Sequence, residues 1–137
     1  MTMGHSILEV GASSATFYDT DLQLVLRLVQ RELSAEDKGP KDALFADCEE
    51  AAAMSAPGCV DFPLERYASD SAGRTLLLSL LERIEASVSG SPWIPLERLK
   101  SDRRIWGVFF GGPYPSARVL GAVRQLQSLI VSGAVSE

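Results

Sequence analysis

Three stretches of this chain repeat apolar side chains at helical spacing, and no stretch of similar length alternates as a strand would. The first is Leu22, Val25, Leu26, Val29 and Leu33. The second is Leu76, Leu77, Leu80, Leu81, Ile84 and Val88, and the third is Val119, Leu120, Val123, Leu126, Leu129 and Ile130. A stripe that recurs every three or four residues lies on one face of a helix and must be covered by something. Three such stripes in 137 residues can cover one another, which constrains the chain to a helix-dominated core.

Punctuation sets the boundaries. Thr20-Asp21-Leu22-Gln23 is a capping-box pattern, so a helix is expected over 20–34, with Arg27, Arg31 and Glu32 off its stripe. Ser34 to Asp42 is polar and contains Gly39-Pro40, which reads as a loop. Lys41 to Met54 places Leu44, Phe45, Cys48, Ala51 and Ala52 on one side of a second helix, which Ala56-Pro57-Gly58 ends. Ser69 or Asp70 caps a helix that Gly90 closes, and Pro115 or Ser116 opens the last one.

Strand signals are few. Ser6 to Val10 alternates weakly and ends at Gly11, followed by a small-residue loop to Ala15. Cys59 to Tyr67 alternates Val60, Phe62 and Leu64 against Asp61 and Glu65, but Pro63 demotes it to an edge or irregular segment. Ser91 to Pro95 reads as a loop around Trp93, and Pro95 opens a short turn through Lys100. Arg104 to Phe110 reads as a buried strand with Trp106 in the core. The expectation is a single domain over 1–137, α/β or α+β, compact and helix-dominated with a small sheet.

Chemistry is sparsely signalled. The lone histidine, His5, stands close to the N-terminus, a poor place for a base that must be held still. Cys48 and Cys59 are not spaced as a C-x-x-C pair, and with His5 they do not make a zinc set. They read as free thiols of a reducing compartment. Asp19-Thr20-Asp21 is a D-x-D, but both acids sit at an expected helix N-terminus, where capping and the dipole favour them. Glu82 and Glu85 read as the solvated face of their helix. Gly111 to Arg118 could present helix N–H groups to an anion, yet Pro113 and Pro115 remove two donors, and no P-loop or dinucleotide motif is present. Arg98, Lys100, Arg103 and Arg104 lie between Trp93 and Trp106, the interleaving that can hold nucleic acid, but four charges are few. No metal or cofactor is expected.

Charge is the strongest pointer to function. Residues 1–70 carry thirteen acids and five bases, a net −8; residues 71–137 carry eight bases and five acids, a net +3. Seven acids, Glu32, Glu36, Asp37, Asp42, Asp47, Glu49 and Glu50, face only Lys38 and Lys41 between positions 32 and 50. Such a band steers and complements a basic partner, or else serves as a solvated face. The overall charge of −5 argues against nucleic acid and anionic membrane, and no apolar run approaches the roughly 20 residues that span a bilayer. The N-terminal residues lack the pattern of a signal peptide, so a cytoplasmic setting is expected. No asparagine, three lysines and ten arginines suggest a GC-rich bacterial source.

These features favour a small acidic cytoplasmic binding protein over an enzyme. An immunity protein or antitoxin-type inhibitor that occludes a basic toxin fits them, with Glu36, Asp37, Asp42, Asp47, Glu49 and Glu50 as the partner-binding residues. Two other readings stand beside it. One is a small hydrolase or transferase using carboxylates and an anion site near Gly111 to Arg118. The other is a homo-oligomeric adaptor or structural subunit, a homodimer pairing its acidic and basic halves.

Overall fold

The computed structural model describes residues 4–35, 41–53, 60–94 and 114–135, with helix dominant in an α+β arrangement that forms a single compact domain. The chain opens with a hairpin: β1 (His5–Val10) pairs antiparallel with β2 (Ser13–Tyr18). Among the described residues five helices follow: α1 (Asp19–Ala35), α2 (Lys41–Ala52), α3 (Leu64–Ala68), α4 (Ser71–Val88) and α5 (Ser116–Val135). Before α5, the two-residue strands β3 (Trp93–Ile94) and β4 (Tyr114–Pro115) pair antiparallel.

The hairpin corrects the loop expected over Gly11 to Ala15. Val10 pairs with Ser13, leaving Gly11-Ala12 as a two-residue turn. Gly11 has φ 60° and Ala12 is not left-handed, which is the type II′ pattern with glycine at its first central position. Strand β2 then follows despite the composition Ser-Ser-Ala-Thr, because its backbone completes the ladder. Its Phe17 joins Leu8 and Val10 beneath the sheet.

Helix α1 is the hub. Its expected stripe is buried, and so are Leu24 and Leu28 on its other sides. A helix apolar nearly all round must be surrounded, and α2, α4, α5 and β2 all pack on α1. Burial of each of these leucines contributes about 1.5–3 kcal/mol relative to exposure. Helix α2 supplies Leu44, Cys48, Ala51 and Ala52 to the shared core, α4 supplies Leu77, Leu80, Leu81, Ile84 and Val88, and α5 supplies Val119, Val123, Leu126 and Ile130.

Local chemistry fixes the joints. Helix α1 begins at Asp19, so Thr20 lies inside it and is not the cap its pattern suggested; Gln23 Nε2 instead donates to the Ala52 carbonyl at 3.2 Å and closes the C-terminal end of α2. Val60, Phe62 and Leu64 are buried and Asp61 is exposed, as their alternation implies, but the chain turns into α3 instead of continuing extended. Asp70 caps α4 by accepting from Gly73 N–H at 2.8 Å. A side chain at Gly73 would meet the Tyr67 carbonyl oxygen at 3.1 Å, which is why α3 and α4 approach so closely there. Trp93 belongs to a strand pair, not a loop, and is half exposed. The strand expected at Arg104 to Phe110, with Trp106, lies outside the described residues, as does the turn expected at Pro95 to Lys100.

Candidate functional site

The carboxylates divide into those the fold consumes and those it leaves in water. The D-x-D belongs to the first group. Both acids are buried in the first turn of α1. Asp19 accepts from the Ser6 hydroxyl, and the same hydroxyl oxygen accepts from Val60 N–H at 3.1 Å. One carboxylate thus joins α1, β1 and the approach to α3. Asp21 accepts from the Tyr114 hydroxyl, and Arg118 Nε lies 3.0 Å from Asp21 Oδ1. The Arg118 guanidinium sits 5.3 Å from the Tyr18 ring centroid and 5.6 Å from that of Tyr114.

This cluster unites two features that the sequence holds apart, the D-x-D and the end of the Gly111 to Arg118 stretch. A cleft of about 290 Å³ beside it is lined by Thr16, Tyr18, Asp21, Arg118 and Gln125, among others. Its acid and base neutralise each other, which lowers its attraction for an anion. Burial raises the Tyr114 pKa, and the neighbouring Asp21 charge raises it further, so this phenol holds its proton firmly and positions the carboxylate. Gly111 to Pro113 lie outside the described residues.

The expected acidic band divides in the same way. Glu36 and Asp37 lie outside the described residues, as do Lys38 and the Gly39-Pro40 turn, and Asp42 lies in the first turn of α2. Glu49 turns inward from α2. Its Oε1 accepts from Arg27 Nη1 at 2.8 Å and from Gln30 Nε2 at 3.4 Å. Arg27 was expected off the apolar stripe, yet its side chain is only 9% exposed. The reason is the ring of partners: Gln30, itself fully buried, accepts from Arg27 at 2.9 Å and donates to the Phe45 carbonyl at 3.2 Å. A buried guanidinium needs such compensation.

Asp47 turns toward α3. It accepts from the Tyr67 hydroxyl and from Arg66 Nη1 at 2.9 Å. Burial and the Asp47 carboxylate both raise the Tyr67 pKa. Glu50, one helical turn from Asp47, is exposed. Asp47 therefore borders α3, on which Glu65 lies; Asp61 before α3 and Glu9 on β1 are, like Glu65, exposed. Among the described residues Glu9, Glu50 and Asp61 enter no ion pair. Four of the described bases do: Arg27, Arg66, Arg118 and Arg124 each hold an acid of the fold, the last being Glu85 at 3.1 Å, while Arg74 donates to the Ala68 carbonyl at 2.9 Å. Glu85 thereby ties α4 to α5, while Glu82 faces solvent as expected.

Glu9, Asp61 and Glu65 line a groove, in which Glu65 Oε1 accepts from Gly11 N–H at 2.9 Å. Ile7, Leu8 and Glu9 form one wall and residues 61–66 the other, enclosing about 550 Å³. Sequence reasoning missed Glu9, Asp61 and Glu65 because they are scattered in the chain and gather only when β1 packs against α3.

The remaining candidates are quiet. Cys48 is buried and its thiol pKa is raised, chiefly by burial and then by Asp47. His5 packs on Tyr18 with centroids 4.5 Å apart. Cys59 and the basic cluster Arg98, Lys100, Arg103 and Arg104 lie outside the described residues. Among the described residues no group of His, Cys, Asp and Glu could hold a metal ion, and no helix is long and apolar enough to cross a membrane. Comparison with family models, curated proteins and solved structures finds no match to this chain.

Proposed function

We propose that this chain is a binding protein whose acidic face receives a basic protein, as an immunity protein or antitoxin-type inhibitor does when it occludes a toxin. The observation that carries the reading is the uneven use of charge: four arginines are paired with acids of the fold, while among the described residues Glu9, Glu50 and Asp61 stand exposed with no ion-pair partner. Uncompensated charge on one face raises the encounter rate with an oppositely charged partner and disfavours like-charged ones. The face differs in part from the band read in the sequence, since Glu49 is engaged inside the fold and Glu9 and Asp61 join.

The test is reversal of Glu9, Glu50 and Asp61 to Lys together. None of the three contributes an ion pair to the described fold, so the thermal midpoint should stay within a few degrees. A partner recovered by crosslinking from the native host should associate at least about tenfold more slowly with the variant at low salt, and the gap should close as salt rises. Equal association rates for wild type and variant would refute the reading.

A further inference from the structure

The geometry points to β1 as an open sheet edge that accepts an extended basic segment of the partner as an added strand. The proposal rests on the acidic-face reading above and specifies how that face binds.

Hydrogen-bond alternation identifies the free edge. Asp19 N–H donates to the Gly4 carbonyl at 3.0 Å, one rung beyond the His5–Tyr18 pair. In an antiparallel ladder the bonded rungs alternate, so Ser6, Leu8 and Val10 spend their backbone groups on β2. His5, Ile7 and Glu9 direct theirs to the opposite edge. Among the described residues no backbone group crosses that edge to Ile7 or Glu9. Alongside runs a groove of about 550 Å³ walled by residues 61–66, bridged at its Gly11 end, where the Gly11 N–H donates to Glu65 Oε1 at 2.9 Å.

The occupant follows from charge and register. Glu9 and Asp61 rim the groove, Glu65 is engaged there by the Gly11 N–H, and its one arginine, Arg66, is held by Asp47. A second copy of the chain would bring the same acids against these, a costly juxtaposition. A segment with Arg or Lys opposite Glu9 and an apolar residue opposite Ile7 is complementary instead. Ile7 is 61% exposed and Tyr18 47%, an apolar strip on the outer face that such a residue would extend. Strand addition of this kind takes affinity from main-chain bonds and specificity from alternate side chains.

The probe is a nine-residue peptide in which Thr alternates with Arg and Val in turn; its control carries Glu in place of Arg. Amide exchange is followed residue by residue by NMR. In the free protein the Ile7 and Glu9 amides should exchange freely, and protection of both there would overturn the proposal because the edge would already be covered. At about ten times the Kd the basic peptide should slow both roughly tenfold, since only about a tenth of the molecules remain free; the Glu peptide should not. Ile7→Pro removes the outward N–H without removing a rung to β2 and should abolish binding, while Ile7→Thr should retain it. In case Ile7→Pro does not fold, Glu9→Lys leaves every backbone group in place and should weaken the peptide at low salt more than at high salt. Binding without protection at Ile7 and Glu9 would overturn the strand mode while leaving the acidic-face reading intact. Loss of the charge dependence measured in the triple reversal would instead remove the reading beneath it.

Discussion

Removing Glu49 should damage this protein far more than removing its partner Arg27. Arg27 is nearly buried, with Nη1 2.8 Å from Glu49 Oε1 and 2.9 Å from Gln30 Oε1. Glu49→Ala leaves that guanidinium facing an amide and a carbon skeleton. Stranding one member of a fully buried pair costs about 3–5 kcal/mol. Glu49 is 46% exposed, so water can take over part of its role. The expected cost is therefore about 2 kcal/mol, which for a domain of this size lowers Tm by roughly 8 °C. Arg27→Met keeps the bulk, removes the buried charge and frees Glu49 to solvent, so its cost should be within about 1 kcal/mol. The double variant should then resemble Arg27→Met, with a coupling energy above the roughly 0.5 kcal/mol scatter of independent sites. Urea unfolding followed by circular dichroism measures all three. Additive effects, or a Glu49→Ala midpoint equal to that of wild type, would show that Glu49 is only a solvated acid and that the inward half of α2 has been misread.

Tyr114→Phe should cost about 1.5–3 kcal/mol at pH 7, the worth of a hydrogen bond to a buried carboxylate. Burial and Asp21 raise the Tyr114 pKa in the folded state above its ordinary value near 10, so stability is complete below about pH 10 and falls as pH rises beyond it. A Tm series from pH 7 to 11.5 should show a steeper alkaline loss in wild type than in Tyr114→Phe, and parallel curves would contradict the assignment. Gly11→Ala should destabilise by about 1–3 kcal/mol, because a β-carbon is strained at φ 60° in a type II′ turn; an unchanged urea midpoint would argue against the hairpin. Cys48 should react with a thiol reagent only on unfolding, since burial raises its pKa and shields it, so rapid modification of native protein at this residue would disprove its placement.

The helices were legible because their signals are local. Apolar spacing located α1, α2, α4 and α5 to within a few residues, and Asp70 supplied its cap. What the sequence hid was set by distant contacts. Strand β2 carries little strand propensity in Ser-Ser-Ala-Thr, and only the glycine turn and its pairing with β1 make it a strand. Leu24 and Leu28 fall off the main stripe of α1, so its full enclosure emerges only once α2, α4 and α5 surround it. Arg27 looks like a solvent residue until Glu49 and Gln30 are placed around it. The candidate site was half legible: the excess of acid in the first half was plain, while the sorting of each acid inward or outward depends on helix phase and on which element lies opposite.

That sorting decides what charge reversal can mean in this molecule. Asp47, Glu49 and Glu50 are near neighbours in sequence, yet α2 sends them to three environments. Reversing Glu49 brings a second cation to Arg27, and reversing Asp47 strands the Tyr67 hydroxyl and sets a lysine against Arg66. Both changes act on folding, so a loss of partner binding in either would say nothing about the interface. Glu50, Asp61 and Glu9 carry no such duty among the described contacts, so their reversal reports on association alone. A band defined by sequence position mixes the two kinds of acid. A set defined by exposure and by lack of an internal partner separates them.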